Sequence, residues 1–201
     1  MNEKETRIPK QKRSIEKKQR IKDAAMKLMS EKGYYKTSSN EIAKEAGVSI
    51  GTFYSYFADK KALYAELVAD IYDAVTLPLQ TVDISEEVPI EQIVRSYVTL
   101  VFRGHEHESA FQREIASLSD QSDEFREIEM SCKGDISEMF INMLLPFKDE
   151  LTVKDIETAA YVILTSVEAV VHDTMFHHHG ENKQAVIDEL TALICHYLFL
   201  S

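Results

Sequence analysis

Apolar positions recur at helical spacing almost from the start of the chain. Ile21, Ala25, Leu28 and Met29 stand at i, i+4, i+7 and i+8 and form one stripe, with Lys17, Lys18, Arg20 and Lys22 mostly off it. This predicts a first helix from Ser14, stopped by Gly33. Ser38 or Ser39 can cap a short second helix that runs through Ala46 and ends at Gly47, and a third helix starts after Ser49. Asp59 caps a fourth, from Lys60 to about Leu79, closed by Pro78 and the polar run beyond. Pro89 and Ile90 open a fifth, with Ile93, Tyr97, Leu100 and Val101 on one face. Residues 108–119 and 122–146 carry shorter helical patterns. Two last segments run from Val153 to about His178 and from Asn182 to about Leu200, with Gly180 between them. No stretch alternates as a strand would. The expectation is an all-α chain of about nine helices.

Composition adds limits. With 44% hydrophobic and 28% charged residues the chain is ordinary for a soluble protein, and its 6 Gly and 4 Pro are too few for the turns of an all-β fold. The most apolar segment, Ala159 to Val171, is interrupted by Thr165, Ser166 and Glu168, so it falls short of the roughly 20 apolar residues a membrane span needs. No apolar segment follows the basic N-terminus as in a signal peptide, and a cytoplasmic location with no membrane partner is expected. Cys132 and Cys195 lack metal-ligand spacing and read as small thiols in a reducing compartment.

Net charge is −11, which taken alone argues against a nucleic-acid partner. Its distribution reverses that argument. Residues 1–67 carry 15 Lys and Arg against 9 Asp and Glu, whereas the remainder carries 8 against 25. A basic front seeks a polyanion and an acidic body avoids it. Residues 1–13, with Pro9 and no apolar periodicity, read as a mobile basic arm. Its Arg7, Lys10, Lys12 and Arg13 either stay solvated or add phosphate and minor-groove contacts.

The stretch from Ser39 to Tyr56 has helix-turn-helix spacing. Ala43 is small where two helices cross, Gly47 can take the positive φ of a tight turn, and Ile42, Ala46, Val48 and Phe53 can hold the helices at a fixed angle. Ser49 can cap the second helix and leave its first turn facing a groove. Within "GVSIGTFYSYF", Phe53 and Phe57 are four apart and should point inward, with Tyr54 and Tyr56 at the margins and their hydroxyls available to phosphates.

These residues carry a resemblance. The segment "RIKDAAMKLMSEKGYYKTSSNEIAKEAGVSIGTFYSYFADKKAL" is similar to the DNA-binding domain of the TetR family of bacterial transcriptional regulators. It shares the Ala-rich first helix, Gly33, the Thr/Ser pair before Ile42-Ala43, Gly47-Val48-Ser49, Gly51-Thr52, Tyr54, Phe57, Lys60 and Leu63. The resemblance covers residues 14–64 as a DNA-binding domain. It implies that residues 65–201 form an effector-binding and dimerisation domain. It also implies phosphate contacts from Ser38, Tyr54, Tyr56 and Lys60, with Ser49, Ile50, Gly51, Thr52 and Ser55 along the groove. Position 50 is often basic in the family and is Ile here; position 39 is more often apolar and is Ser here.

The body offers two apolar faces, one from Ala160, Ile163, Leu164, Val167, Val170 and Val171 and one from Ile187, Leu190, Ile194, Tyr197 and Leu198. Each serves intrachain core, a two-fold interface as the resemblance implies, or both. Candidates for an effector pocket are Tyr97, Phe102, His105, Phe111, Met139, Met143, Tyr161, Thr165, Glu168, His172 and Phe176. Glu168 and His172 stand out, at i and i+4 in an otherwise apolar helix, placed to pair with each other, to orient a polar ligand group or to line an interface. The run His177-His178-His179 does not read as a metal site, because consecutive helical side chains point about 100° apart and cannot share one ion. The weaker alternative is a metal site in which His172 shares a face with one of the three and His105 or His107 completes the ligand set. No metal and no cofactor are assigned.

The reading that results is a ligand-responsive repressor, binding a palindromic operator as a homodimer and released by a small-molecule effector. The alternative is an architectural or nucleoid-associated DNA-binding protein without an effector, which would lack an enclosed cavity and bind many sites. An enzyme is disfavoured, for no nucleophile elbow, phosphate loop or HExxH helix is present.

Overall fold

The structure is a computed structural model that describes residues 12–85, 87–105, 110–176 and 182–199, apart from the side chains of residues 75, 110, 135 and 176. Among the described residues there are nine α-helices and no strand: α1 (Lys12–Lys32), α2 (Ser39–Glu45), α3 (Ile50–Tyr56), α4 (Lys60–Leu79), α5 (Ile90–His105), α6 (Ala110–Gln121), α7 (Asp123–Leu144), α8 (Ile156–Phe176) and α9 (Lys183–Phe199). A 3-10 segment, Leu145–Glu150, which the apolar pattern does not announce, follows α7 with Pro146 in its first turn. Helix α1 begins at Lys12, so Lys12 and Arg13 are helical rather than part of an arm; the rest of the expected arm lies outside the described residues.

The chain divides into two compact units, the first taking residues 12–70 and 110–130 of the described chain, the second residues 71–105 and 131–199. The first therefore takes in α6 and the start of α7 besides the helices of the N-terminal part. Aromatic packing accounts for this. Phe111 and Phe125 are buried, and Tyr64 meets Phe111 at 5.8 Å and Phe125 at 5.0 Å between ring centroids, edge to face. Tyr34 completes the cluster against Tyr64 and Phe125 at 5.4 and 4.8 Å. Such pairs contribute about 0.5–1.5 kcal/mol each beyond their buried area.

Helix α1 buries Ile21, Ala24, Ala25 and Met29, with Leu28 half-buried, as the stripe requires. Lys22 is buried as well. Its ammonium lies 3.2 Å from Glu66 Oε1 and also pairs with Asp70, while Lys18 reaches Glu66 at 2.6 Å. A cation at that depth needs a countercharge, since removing its partner would strand a desolvated charge. The network clamps α1 to α4. Asp59 caps α4, accepting the Ala62 amide at 2.7 Å.

In the second unit α5, α8 and α9 pack on one core. Ile93, Val94, Val98 and Phe102 of α5 meet Ala160, Ile163, Val167 and Val171 of α8 and Ile187, Leu190, Ile194 and Leu198 of α9. Arg95 pairs with Asp188 across α5 and α9. The Thr152 amide, which follows the 3-10 segment, donates to Leu198 O at 2.8 Å and ties that connection to the end of α9.

Two glycines close turns at positive φ, Gly33 at +85° and Gly47 at +64°. A Cβ on Gly33 would also stand 3.2 Å from Glu114 Oε1, whereas on Gly47 the nearest atom is Arg20 Nη1 at 3.6 Å. Gly33→Ala is therefore expected to cost more, about 2–3 kcal/mol against about 1 kcal/mol for Gly47→Ala. Urea unfolding of the two variants checks the order, and equal midpoints would show that the Glu114 contact adds nothing.

Candidate nucleic-acid interface

The interface is built on two seven-residue helices whose ends are fixed by local side chains. Ser38 caps α2 in a reciprocal box: its hydroxyl accepts the Glu41 amide at 3.3 Å, and Glu41 Oε2 accepts the Ser38 amide at 2.9 Å and its hydroxyl at 2.8 Å. Glu41 also accepts from Lys32 Nζ at 2.5 Å. The Lys32 and Ser38 hydrogen bonds together hold its carboxyl down at about 2. The chain turns over Ala46, Gly47 and Val48, with the Val48 amide donating to Ala43 O at 2.9 Å. Ser49 then caps α3, accepting the Thr52 amide at 3.1 Å.

The apolar side of this pair is closed. Ile42, Ala43, Ala46, Phe53 and Phe57 are buried and Val48 is half-buried, so the angle between α2 and α3 is set by packing. The other side of α3 is open: Ser49, Ile50, Gly51, Tyr54 and Ser55 are exposed and Thr52 is half-exposed. Small side chains allow close approach, and their hydroxyls are held in place. Ser49 Oγ and Thr52 Oγ1 lie 2.9 Å apart, and Ser55 Oγ donates to Thr52 O at 2.7 Å. Tyr54 leans edge-on against Phe53 at 5.2 Å with half of its surface free.

Two expected phosphate contacts sit differently. Tyr56 is only 8% exposed, and its hydroxyl is 2.7 Å from Ser14 Oγ on α1. It anchors the start of α1 rather than standing free at the margin. Lys60 is half-buried. Its ammonium donates to Tyr34 O at 2.6 Å and Thr37 O at 2.7 Å, and lies 3.9 Å from the centre of the Tyr34 ring. Desolvation lowers its pKa. Neither use was legible in the sequence, because the partners are 42, 26 and 23 residues away.

Among the expected effector residues, three share the second unit's core and the others sit in different settings. Tyr97, Phe102 and Met143 are buried in the second unit, with Tyr97 against Phe140 at 5.1 Å, and Met139 is half-buried. Desolvation and then Glu168 push the Tyr97 phenol up. His105 Nδ1 lies 2.8 Å from Val101 O. Phe111 belongs to the first unit, packed on Tyr64. Tyr161, Thr165 and His172 face outward on α8, Tyr161 being 69% exposed. Glu168 pairs with Lys133 at 3.3 Å. The Phe176 side chain, His107 and the run His177–His179 lie outside the described residues. An open depression of about 480 Å³ in the second unit is lined by Thr152, Val153, Lys154, Asp155, Thr158, His196 and Tyr197, none of them an effector candidate. Among the described residues no group of three or more His, Cys, Asp or Glu is placed to hold a metal ion, and no helix is long and apolar enough to cross a membrane.

The helix-turn-helix and the helices after it can be set beside known proteins. Residues 21–67 match the family model described as bacterial regulatory proteins, tetR family, and residues 89–198 match that of the tetracyclin repressor-like C-terminal domain. The chain belongs to the TetR family. It is a DNA-binding transcriptional regulator and not an enzyme. Among TetR-type relatives, the helix-turn-helix-type regulator YuxN of Bacillus subtilis is 47% identical over 58 residues, 29% of this chain and 20% of its own. AcrR of Shigella flexneri is 46% identical over 52 residues, 26% of this chain and 24% of its own. The matched stretch thus spans no more than about a quarter of these relatives. Solved structures show the TetR fold over nearly the whole chain. GusR of Salmonella enterica superposes with a TM-score of 0.74 at 20% identity, covering 90% of this chain and 95% of its own. FadR of Bacillus subtilis, solved in complex with stearoyl-CoA, superposes with 0.73 at 19%, covering 89% and 98%.

The Glu41 cap should show in acid. A carboxyl depressed in the folded state contributes stability above its ordinary value of 4.5 and loses it as pH falls through about 2. Glu41→Gln is expected to flatten the acid-side stability curve between those values. An unchanged slope in circular dichroism melts across that window would show the cap box is not formed in solution.

Proposed function

We propose that the protein is a dimeric repressor that grips a palindromic operator through α3 and lets go when a small molecule occupies its second unit. The observation that carries the DNA half is the open face of α3, where Ser49, Gly51, Thr52, Tyr54 and Ser55 present small, pre-oriented hydroxyls and one exposed ring. Hydroxyls and backbone amides of this kind fix register on phosphates, while Thr52 offers a methyl or hydroxyl to a base edge. Ser38, Ile50, Tyr56 and Lys60 flank that surface, the last two in supporting positions. The acidic remainder of the chain stays off the duplex.

The dimer is supported by apolar side chains left uncovered on the two last helices: Tyr161, Val162 and Val170 on α8, Leu193 and Tyr197 on α9. The opposite faces of the same helices are already used as core. One recognition helix reads few bases, and a two-fold pair reaches half-sites ~34–36 Å apart. For the effector, Tyr97, Phe102, His105, Met139 and Met143, with Glu168, are the second-unit residues of suitable chemistry. An occupied second unit would favour a conformer whose reading heads no longer match the operator, so effector and DNA affinities are coupled reciprocally. The protein would act in the cytoplasm, where its operator lies.

Selection of bound duplexes from a random pool with the full chain tests the reading. A palindrome with half-sites about one helical turn apart is expected. Thr52→Ala should change preference at particular positions, whereas Tyr54→Phe should weaken all sequences alike. Binding spread evenly over unrelated duplexes would favour the architectural alternative. Repeating the selection with candidate ligands tests release.

Leu193→Glu places a charge on the uncovered strip. It is expected to give a monomer in sedimentation velocity and to weaken operator binding by about tenfold or more. A variant that sediments with the wild type would move the two-fold contact elsewhere.

A further inference from the structure

The turn from Gly33 to Thr37 leads α1 into α2 and so aims the helix-turn-helix. It is held from several sides. Thr37 Oγ1 donates to Gly33 O at 2.9 Å, and Lys60 Nζ donates to Tyr34 O and Thr37 O. On its donor side, the Tyr34 amide is met by Glu114 Oε1 at 2.6 Å, from a helix 80 residues away in the sequence. That carboxylate oxygen sits 3.2 Å from the point a Gly33 Cβ would occupy, an approach that glycine leaves open.

Helix α6 reaches the turn on apolar residues, the buried Phe111, Ile115 and Leu118. Two of its buried polar atoms, Gln112 Oε1 and Ser119 Oγ, have no hydrogen-bond partner, as is true of the hydroxyl of Tyr64 on α4, whose ring packs on Phe111. Apolar contacts permit small slides of one helix over another. A short bond from a carboxylate to a backbone amide does not, because its strength depends on distance and angle.

We infer that Glu114 is a positioning residue for DNA binding: from α6 it fixes the backbone turn that aims α2 and α3. This rests on the operator-binding reading above. Displacing α6 by the length of one hydrogen bond releases the Tyr34 amide and loosens the entry to α2, while the α3 surface itself stays intact.

The test uses the full chain and the selected operator, with affinity read by fluorescence anisotropy and corrected for active fraction by stoichiometric titration. Glu114→Gln keeps an oxygen acceptor at the same reach and is expected to bind within about threefold of the wild type. Glu114→Asp keeps the charge but is one methylene short, and is expected to lose about tenfold, as is Glu114→Ala. Amide exchange at Tyr34, measured without DNA, should follow the same order, protected in the wild type and Glu114→Gln and fast in Glu114→Asp. If Glu114→Ala does not fold, the Gln and Asp pair carries the comparison alone. Affinities equal to wild type in the Asp variant, or as low in Gln as in Asp, overturn the inference. A wild type that binds no duplex removes the operator reading and the inference with it.

Discussion

An ammonium group between two backbone carbonyls, Lys60 Nζ against Tyr34 O and Thr37 O, is the contact on which the first unit turns. The turn between α1 and α2 carries carbonyls that lie outside both helices, and the next helix begins only a few residues on. Lys60, at the start of α4, supplies donors to that gap and lies over the Tyr34 ring at the same time. Three helices are thereby referred to one point. Glu114 meets the amide side of the same turn and brings in a fourth.

Charge plays a structural part in this unit as well as an attractive one. Lys22 is buried between Glu66 and Asp70, and Lys27 and Lys32 reach Glu45 and Glu41 on α2. Several of the lysines that make the front of the chain basic are thus spoken for by carboxylates. What faces outward on α3 is instead a set of hydroxyls, one tyrosine ring and Ile50. In the operator-binding reading proposed above, attraction to a polyanion and recognition of it fall to different residues, as phosphate contacts that set register and base contacts that set sequence commonly do.

In the second unit one helix serves two surfaces. The buried side of α8, Ala160, Ile163, Val167 and Val171, is core, and the other side keeps Tyr161, Val162 and Val170 exposed. Helix α9 repeats the division with Ile187, Leu190, Ile194 and Leu198 inside and Leu193 and Tyr197 out. A helix apolar around much of its girth has no single stripe to read. This is why the sequence does not tell that Tyr161, Thr165 and His172 lie outward on α8.

By itself the sequence determined that the chain is helical, several of its caps and turns, the helix-turn-helix and the family. Ser38 with Glu41, Ser49, Asp59, Gly33 and Gly47 act on groups within about four residues, so caps and turns are written where they are used. Phe53 and Phe57 were legible for the same reason, since helical spacing fixes their common face. Only the tertiary structure decided that Tyr56 holds Ser14, that Lys60 serves carbonyls, that Glu114 meets Tyr34 and that Phe111 belongs with the reading head. Each of these joins elements far apart in the chain through a single side chain. Residue type and spacing carry no record of which distant backbone group will be left unpaired beside it, and that is settled only when the helices have packed.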